Sequence, residues 1–322
     1  MGGRLFGHGE CFGCGLCLLA CPLWRARRDI RLSAQGCARA LQCGAMMDDL
    51  ADAVDSCCLC GACEPACPAQ IGLVGMIADL RAELARHHPD RVAQLHERMN
   101  AHRSPAPAAP AAAVTLVPDK ALKAHCALLG RVLALLGERE KLALAEDDGA
   151  DIALALEAGA AIPAARLARF LAPLARARRI IIGDGMLFRA LRSWLPRTPI
   201  EALGVAMSSV AAVRGKLRAA DLYVIEPRAY HADHARLVKH YDGLRLERGC
   251  SMNLDLQRLA IPTTAGSLPA ILGRSQVDAR DQARWILEGA PECSRIVVED
   301  LQDIAAFTAV TGKPVVHLAQ LT

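Results

Sequence analysis

The sequence predicts an α+β protein: a mostly helical, cysteine-rich N-terminal domain, then an α/β domain built on a mostly parallel sheet. Three observations predict it. Of 14 cysteines in 322 residues, eleven lie before residue 68, and only Cys126, Cys250 and Cys293 follow. The stretch Ser104–Ala113, SPAPAAPAAA, carries three prolines in seven residues, which forbids a helix and favours an extended spacer. Beyond it, short apolar runs alternate with helical ones, as in βαβ units. The boundaries are therefore 1–103, a linker at 104–113, and 114–322. Two domains are usual for this length.

Taken in order, the elements read as follows. Ala38–Val54 reads as a helix. Ile71–His87 carries apolar residues at 73, 74, 77, 80 and 84, a helical spacing that Pro89 ends. After the linker come a strand at Val114–Val117 and a helix at Lys120–Leu136. A strand at Leu142–Ala145 precedes helices at Ile152–Ala158 and Ala164–Arg176. The run Arg179–Ile182 is a strand that ends in Gly183-Asp184-Gly185 and a helix. Strands at Leu222–Ile225, Ile296–Val298 and Val315–His317, with helices at His231–Arg245 and Asp278–Glu288, complete the alternation.

Composition bounds the function. Hydrophobic residues make up 53% and charged residues 22%, enough apolar material for a core. Aromatics are only 3%, so that core is aliphatic. The longest uncharged runs, Ser104–Pro118 and Leu259–Gly273, are 15 residues each and broken by prolines, so no membrane span is expected. Met1–Glu10 has no apolar signal region, which places the chain in the cytoplasm. A partner could still hold it peripherally at the inner membrane face. In a reducing compartment, many cysteines mean metal rather than disulfides. The net charge is +4 without a Lys/Arg block, which argues against nucleic acid.

Two cysteine runs carry the chemistry. Cys11-x2-Cys14-x2-Cys17-x3-Cys21-Pro22 and Cys57-x2-Cys60-x2-Cys63-x3-Cys67-Pro68 share one spacing, that of a bacterial ferredoxin cluster site. Three thiolates on a tight loop grip three irons of a cubane. The fourth points away from its own loop and ligates the other cluster. One 4Fe–4S cluster is thus assigned Cys11, Cys14, Cys17 and Cys67, and the other Cys57, Cys60, Cys63 and Cys21. Zinc would need two ligand pairs, not the third C-x2-C step or the trailing Cys-Pro. Cys58 has the wrong spacing to be a ligand. Cys37 and Cys43 read as small buried residues. Their 35-residue setting, Pro22 to Ser56, exceeds the connection of small ferredoxins and fits a helical domain carrying two cluster loops.

The segment Val54–Ile71, VDSCCLCGACEPACPAQI, with the following Leu80-Arg81-Ala82-Glu83-Leu84, resembles the dicluster ferredoxin-like module of a family of enzyme subunits. These are the iron–sulfur subunits of heterodisulfide reductase, of glycolate oxidase and of anaerobic glycerol-3-phosphate dehydrogenase, and a related subunit of a sulfite-reductase-associated membrane complex. The resemblance covers about 90 residues, and it implies electron transfer with a flavoprotein or membrane cytochrome subunit as partner. It also implies an α/β region with Cys-Cys-Gly repeats. This chain has no Cys-Cys-Gly after Cys67, so its second domain resembles such a region without its cluster cysteines.

Other candidates are weaker. His231, His234, His240 and Cys250 could form a zinc or redox site, but read first as solvated positions of an exposed helix. Gly183-Asp184-Gly185 lacks the third glycine of a nucleotide loop, since position 188 is Phe188, and reads as a tight turn. The leading expectation is an electron-transfer subunit without catalytic residues of its own. The alternative is a thiol–disulfide reductase using Cys250 or the Cys37/Cys43 pair; a third is a scaffold that the clusters only hold together. Two oxidised cubanes with eight thiolates would add about −4 and bring the formal +4 near zero. Residues 1–103 balance 11 bases with 11 acids, so the basicity belongs to the domain without clusters.

Overall fold

The computed structural model describes residues 7–101, 114–137, 141–256, 258–263 and 277–321. The linker predicted at 104–113 lies outside them.

Helices dominate the first domain. The first cysteine run feeds α1 (Leu16–Leu19) and α2 (Pro22–Arg27), with Pro22 pre-set for the first helical turn. Ser33 caps α3 (Ala34–Gln42), its hydroxyl accepting from the Gly36 amide at 3.0 Å. The helix predicted at Ala38–Val54 is not continuous. Gly44 takes φ +83°, a left-handed stop, and the chain restarts as a turn at Met47–Leu50 and α4 (Ala51–Ser56). The next helix, α5 (Leu73–His87), buries Leu73, Val74, Ile77, Leu80 and Leu84, as the spacing predicts. A further helix, α6 (Asp90–Ala101), begins just beyond Pro89.

The second domain holds two four-stranded sheets rather than the one expected. Strands β1 (Val114–Val117), β2 (Leu142–Leu144), β3 (Arg179–Ile182) and β4 (Ile200–Ala202) form the first, ordered β2-β1-β3-β4. Strands β5 (Asp221–Val224) and β6 (Ser251–Met252) lead the second half, followed by a β7–β8 hairpin at Leu254–Asp255 and Leu259–Ala260. With β9 (Arg295–Val298) and β10 (Val315–His317) the second sheet runs β6-β5-β9-β10. Every pairing within both sheets is parallel. Each half therefore has its second strand at one edge, then its first, third and fourth: one topology used twice. Leu116, Ile181, Tyr223 and Val297, one from each central strand, belong to a single core.

Two predicted helices are each two. His125 separates α7 (Lys120–Ala124) from α8 (Cys126–Gly137), its Nδ1 accepting from the Leu128 amide at 3.3 Å. Asp233 separates α14 (Pro227–Ala232) from α15 (His234–Arg248), counting α9 as Ala150–Ala158, α10 as Ala164–Leu174, α11 as Gly185–Trp194, α12 as Leu203–Ser208 and α13 as Ala211–Arg214. The His125 ring bonds local backbone, which ends a helix in this way; Asp233 makes no cap bond, and its carboxylate pairs with Arg192 and Arg236 instead.

The domains meet closely where α9 ends against α5. Gly159 has φ +68°, and a Cβ there would lie 2.3 Å from the Ala82 amide nitrogen and 2.5 Å from the Arg81 carbonyl carbon. Gly159→Ala is expected to destabilise by about 3 kcal/mol, from overpacking against backbone that cannot yield plus a strained φ. Gly130→Ala, mid-helix with nothing within 4 Å of its Cβ position, should instead stabilise slightly. Thermal denaturation of the two variants checks the contrast.

Candidate iron–sulfur centre and the cavity beside it

The two cysteine runs fold into two loops turned by glycines with positive φ: Gly13 and Gly15 in the first, Gly61 in the second. Cys11, Cys14, Cys17 and Cys67 line one small cavity. Cys21, Cys57, Cys60 and Cys63 line another, together with Cys17 and Cys58. Thus Cys67 lies at the cavity of the first loop and Cys21 at that of the second. Cys17 and Leu73 border both cavities, so the two adjoin.

The donor set fits iron–sulfur clusters. No carboxylate or imidazole lines either cavity; the other walls are largely apolar, including Leu32, Val74 and Ile77 in the second. Among the described residues, no three His, Cys, Asp or Glu side chains gather as they would around a single ion. Burial pushes the Cys17 thiol up to about 11, with Cys11, Cys14 and Cys67 adding repulsion. Burial likewise pushes Cys21 up to about 12, with Cys57 and Cys58 beside it. Crowded, dry thiols resist ionisation until a cationic core compensates them.

The loops differ in setting. The first faces solvent: Cys14 is exposed, and Gln42 Nε2 holds the Cys11 carbonyl at 2.9 Å. The second is buried and clasped from behind by distant parts of the chain. Arg228 Nη2 donates to the Cys58 carbonyl at 2.8 Å and pairs with Glu157 at 3.1 Å. His231 Nδ1 donates to the Cys60 carbonyl at 2.7 Å, while its Nε2 accepts from the Ala260 amide at 3.1 Å. Those two bonds require the neutral ring, and burial holds its pKa down to about 3. Arg189 pairs with Glu64 at 2.8 Å, and Glu64 accepts from the Val74 amide at 3.0 Å. Arg81, 2% exposed, donates to the carbonyls of Val54 at 3.0 Å, Glu157 at 2.6 Å and Cys57.

These facts correct three expectations. His231 is buried and serves the cysteine loop; it is not a solvated helix position. His240 bonds Ser208 at 2.8 Å, and the histidines do not converge with Cys250 on a metal site. Cys37 is fully buried, as expected, but Cys43 is exposed at the helix end. Cys250 is 1% exposed and its thiol is pushed up to about 11 by burial, so it is not presented as a nucleophile. Sequence reasoning missed Arg81, Arg189 and Arg228, since an arginine spaced far from its partners has no local pattern.

A larger cavity opens where the domains meet. Cys58 and Cys60 wall one side. The other side is the carboxyl end of both sheets, where Asp119, Asp184, Glu226 and Asp300 follow β1, β3, β5 and β9. Each of the four caps the helix it precedes. The Gly183-Asp184-Gly185 turn is thus a capped βα turn, as expected. Burial pushes Glu226 up to about 8 from an ordinary 4.5, and Asp300 up to about 7 from 3.8, with Asp119 adding to the latter. Both folded values lie above the unfolded ones, so the native state holds extra protons. Their stabilisation is complete below about pH 4 and lost as pH rises through 7 to 8. The thermal midpoint is therefore expected to fall as pH rises from about 4.5 to about 8 and to level off above that. Glu226→Gln should flatten that fall in calorimetric scans; an unchanged slope would contradict it.

Two adjoining, apolar, thiol-lined cavities define the class: a ferredoxin-type iron–sulfur domain. Residues 8–71 match the family model of the 4Fe-4S dicluster domain. No curated protein and no solved structure gives a significant match. Among the described residues, no helix is long and apolar enough to cross a membrane.

Proposed function

We propose that this chain is the electron-transfer subunit of a multisubunit oxidoreductase, relaying electrons between a flavoprotein or cytochrome partner and a catalytic subunit. Two 4Fe–4S clusters would be held, one by Cys11, Cys14, Cys17 and Cys67, the other by Cys57, Cys60, Cys63 and Cys21. Bound there, such clusters supply one-electron carriers whose potentials follow burial and hydrogen bonding at sulfur. The chain's own residues do the rest. Leu73 and Cys17 keep the two centres adjacent and dry. His231, Arg228 and Arg81 hold the second loop rigid, so little reorganisation accompanies a change of charge. The two-sheet domain serves as the platform, in the manner of iron–sulfur subunits of the heterodisulfide reductase and glycolate oxidase type.

The observation that carries this reading is the gathering of Cys67 with Cys11, Cys14 and Cys17, and of Cys21 with Cys57, Cys60 and Cys63, at two cavities that share Cys17 and Leu73. Protein purified anaerobically should contain close to eight irons and as many acid-labile sulfides, with a reduced-cubane EPR signal. Near four irons, or tightly held zinc, would overturn it. The disulfide-reductase alternative finds less support, since Cys250 and Cys37 are buried, while Cys43 is exposed at the C-terminal cap of the helix that buries Cys37.

A further inference from the structure

The proposal that follows rests on the electron-relay reading and names the partner at one end of it. Among the described residues, eight large hydrophobic side chains are exposed. Five of them, Phe12, Leu16, Leu19, Ile30 and Met46, lie between residues 12 and 46. Three interleave the first cysteine run: Phe12 follows Cys11, Leu16 precedes Cys17, and Leu19 precedes Cys21. Phe12 is 65% exposed and Leu19 57%, in a chain with only five phenylalanines, and Phe12 itself borders the first cavity. Core-forming residues held in water around a redox centre need another reason to be there, and an apolar contact surface is that reason.

The charges around the patch say what kind of partner fits. Arg27 and Arg28 end α2, Arg31 follows on the next turn, and all are exposed. Arg39 lies against the first loop, 3.7 Å from the Cβ position of Gly13. Between Gly7 and Met46 stand five arginines and two acids, Glu10 and Asp29; Arg25 stacks on Trp285 at 3.4 Å and Arg31 pairs with Asp29, which leaves Arg27, Arg28 and Arg39 against Glu10. This basic excess is local, since residues 1–103 as a whole are balanced. The second loop offers no such face, because the α/β domain covers it.

We infer that the exposed first loop is the docking site of an acidic one-electron carrier protein, whose own apolar patch seats on Phe12, Leu16 and Leu19 within the arginine rim. A cluster held by Cys11, Cys14, Cys17 and Cys67 would take one electron from the carrier. The carrier is oxidised by one equivalent and the protein reduced by one; no bond changes and no proton need move. Opposite charge steers the encounter, and salt screens it over about 10 Å at 0.1 M.

The test is anaerobic stopped-flow reduction of the holoprotein by a reduced flavodoxin, an acidic carrier, with dithionite as the small-molecule control. The flavodoxin rate should fall at least tenfold between about 0.05 and 0.5 M salt. Arg27→Glu with Arg28→Glu should slow it at least tenfold at low salt and leave it unchanged at high salt. Phe12→Ser with Leu16→Ser should slow it at every salt concentration. Dithionite reduction and iron content should match wild type in both. A salt-independent or salt-accelerated wild-type rate overturns the proposal, as do variants that react like wild type. Should a variant fail to load iron, the wild-type salt dependence decides alone. Dithionite reduction without flavodoxin reduction defeats the docking proposal but spares the relay; failure of dithionite to reduce any cubane defeats the relay itself.

Discussion

Cys21→Ala is expected to remove the second cubane and leave the first, although Cys21 closes the first cysteine run. Its side chain lines the cavity of Cys57, Cys60 and Cys63. Cys67→Ala should do the converse, because Cys67 lines the cavity of Cys11, Cys14 and Cys17. Each variant should fall from near eight irons toward four, and the two surviving EPR signals should differ. The survivor in Cys21→Ala sits at the solvent-facing loop, and a chelator should strip it faster than the buried survivor in Cys67→Ala. Identical surviving spectra would defeat crossed ligation. Cys58→Ser is the companion control. Cys58 borders the same cavity as Cys57, but its spacing to Cys60 is one residue short, so the iron content should stay near eight.

Arg81→Met is expected to destabilise the protein by roughly 3 kcal/mol. The guanidinium is buried and donates to carbonyls of Val54, Asp55, Cys57 and Glu157. Methionine fills most of the volume but leaves those carbonyls without donors in a dry site. For a chain of this size the midpoint should fall on the order of 10 °C. Glu157 belongs to α9 and Cys57 to the second cysteine loop, so the loss falls on the join between domains. Iron should therefore leave the second loop first on mild heating, read by loss of its EPR signal. A midpoint within about 1 °C of wild type would show that water replaces the guanidinium.

Much of this was legible in the chain. The helix at Leu73–His87 and the strands at Val114–Val117, Arg179–Ile182 and Val315–His317 stand as their periodicity predicts. Failures cluster at helix interruptions. Gly44, His125 and Asp233 each sit inside a convincing helical pattern; the breaks rest on a left-handed glycine, a ring bonded to local backbone and a non-helical φ/ψ, none of which period counting sees. The repeated topology was not legible either. Pro118-Asp119-Lys120 and Ile225-Glu226-Pro227 occupy equivalent places after β1 and β5, each with the capping acid second, yet share no residue position for position. Strands β4 and β6 are three and two residues long, too short for any periodic signal.

At the centre the division is sharper. Thiol spacing within each loop is a matter of a few covalent bonds, so the ferredoxin-type character of the cysteine-rich segment could be read from the residues alone. The succession of a helical cysteine-rich part and a βα alternation was equally local, resting on composition and period. Only tertiary packing decided which loop would be dry. His231 reaches the Cys60 carbonyl across 171 residues of chain, and Arg228 reaches Cys58 across 170. No pattern in the sequence records such pairs, because a hydrogen bond to a backbone carbonyl asks nothing of the residue that bears it. Burial of the second loop, exposure of the first, and the carboxylate-lined cavity between the sheets follow from those contacts.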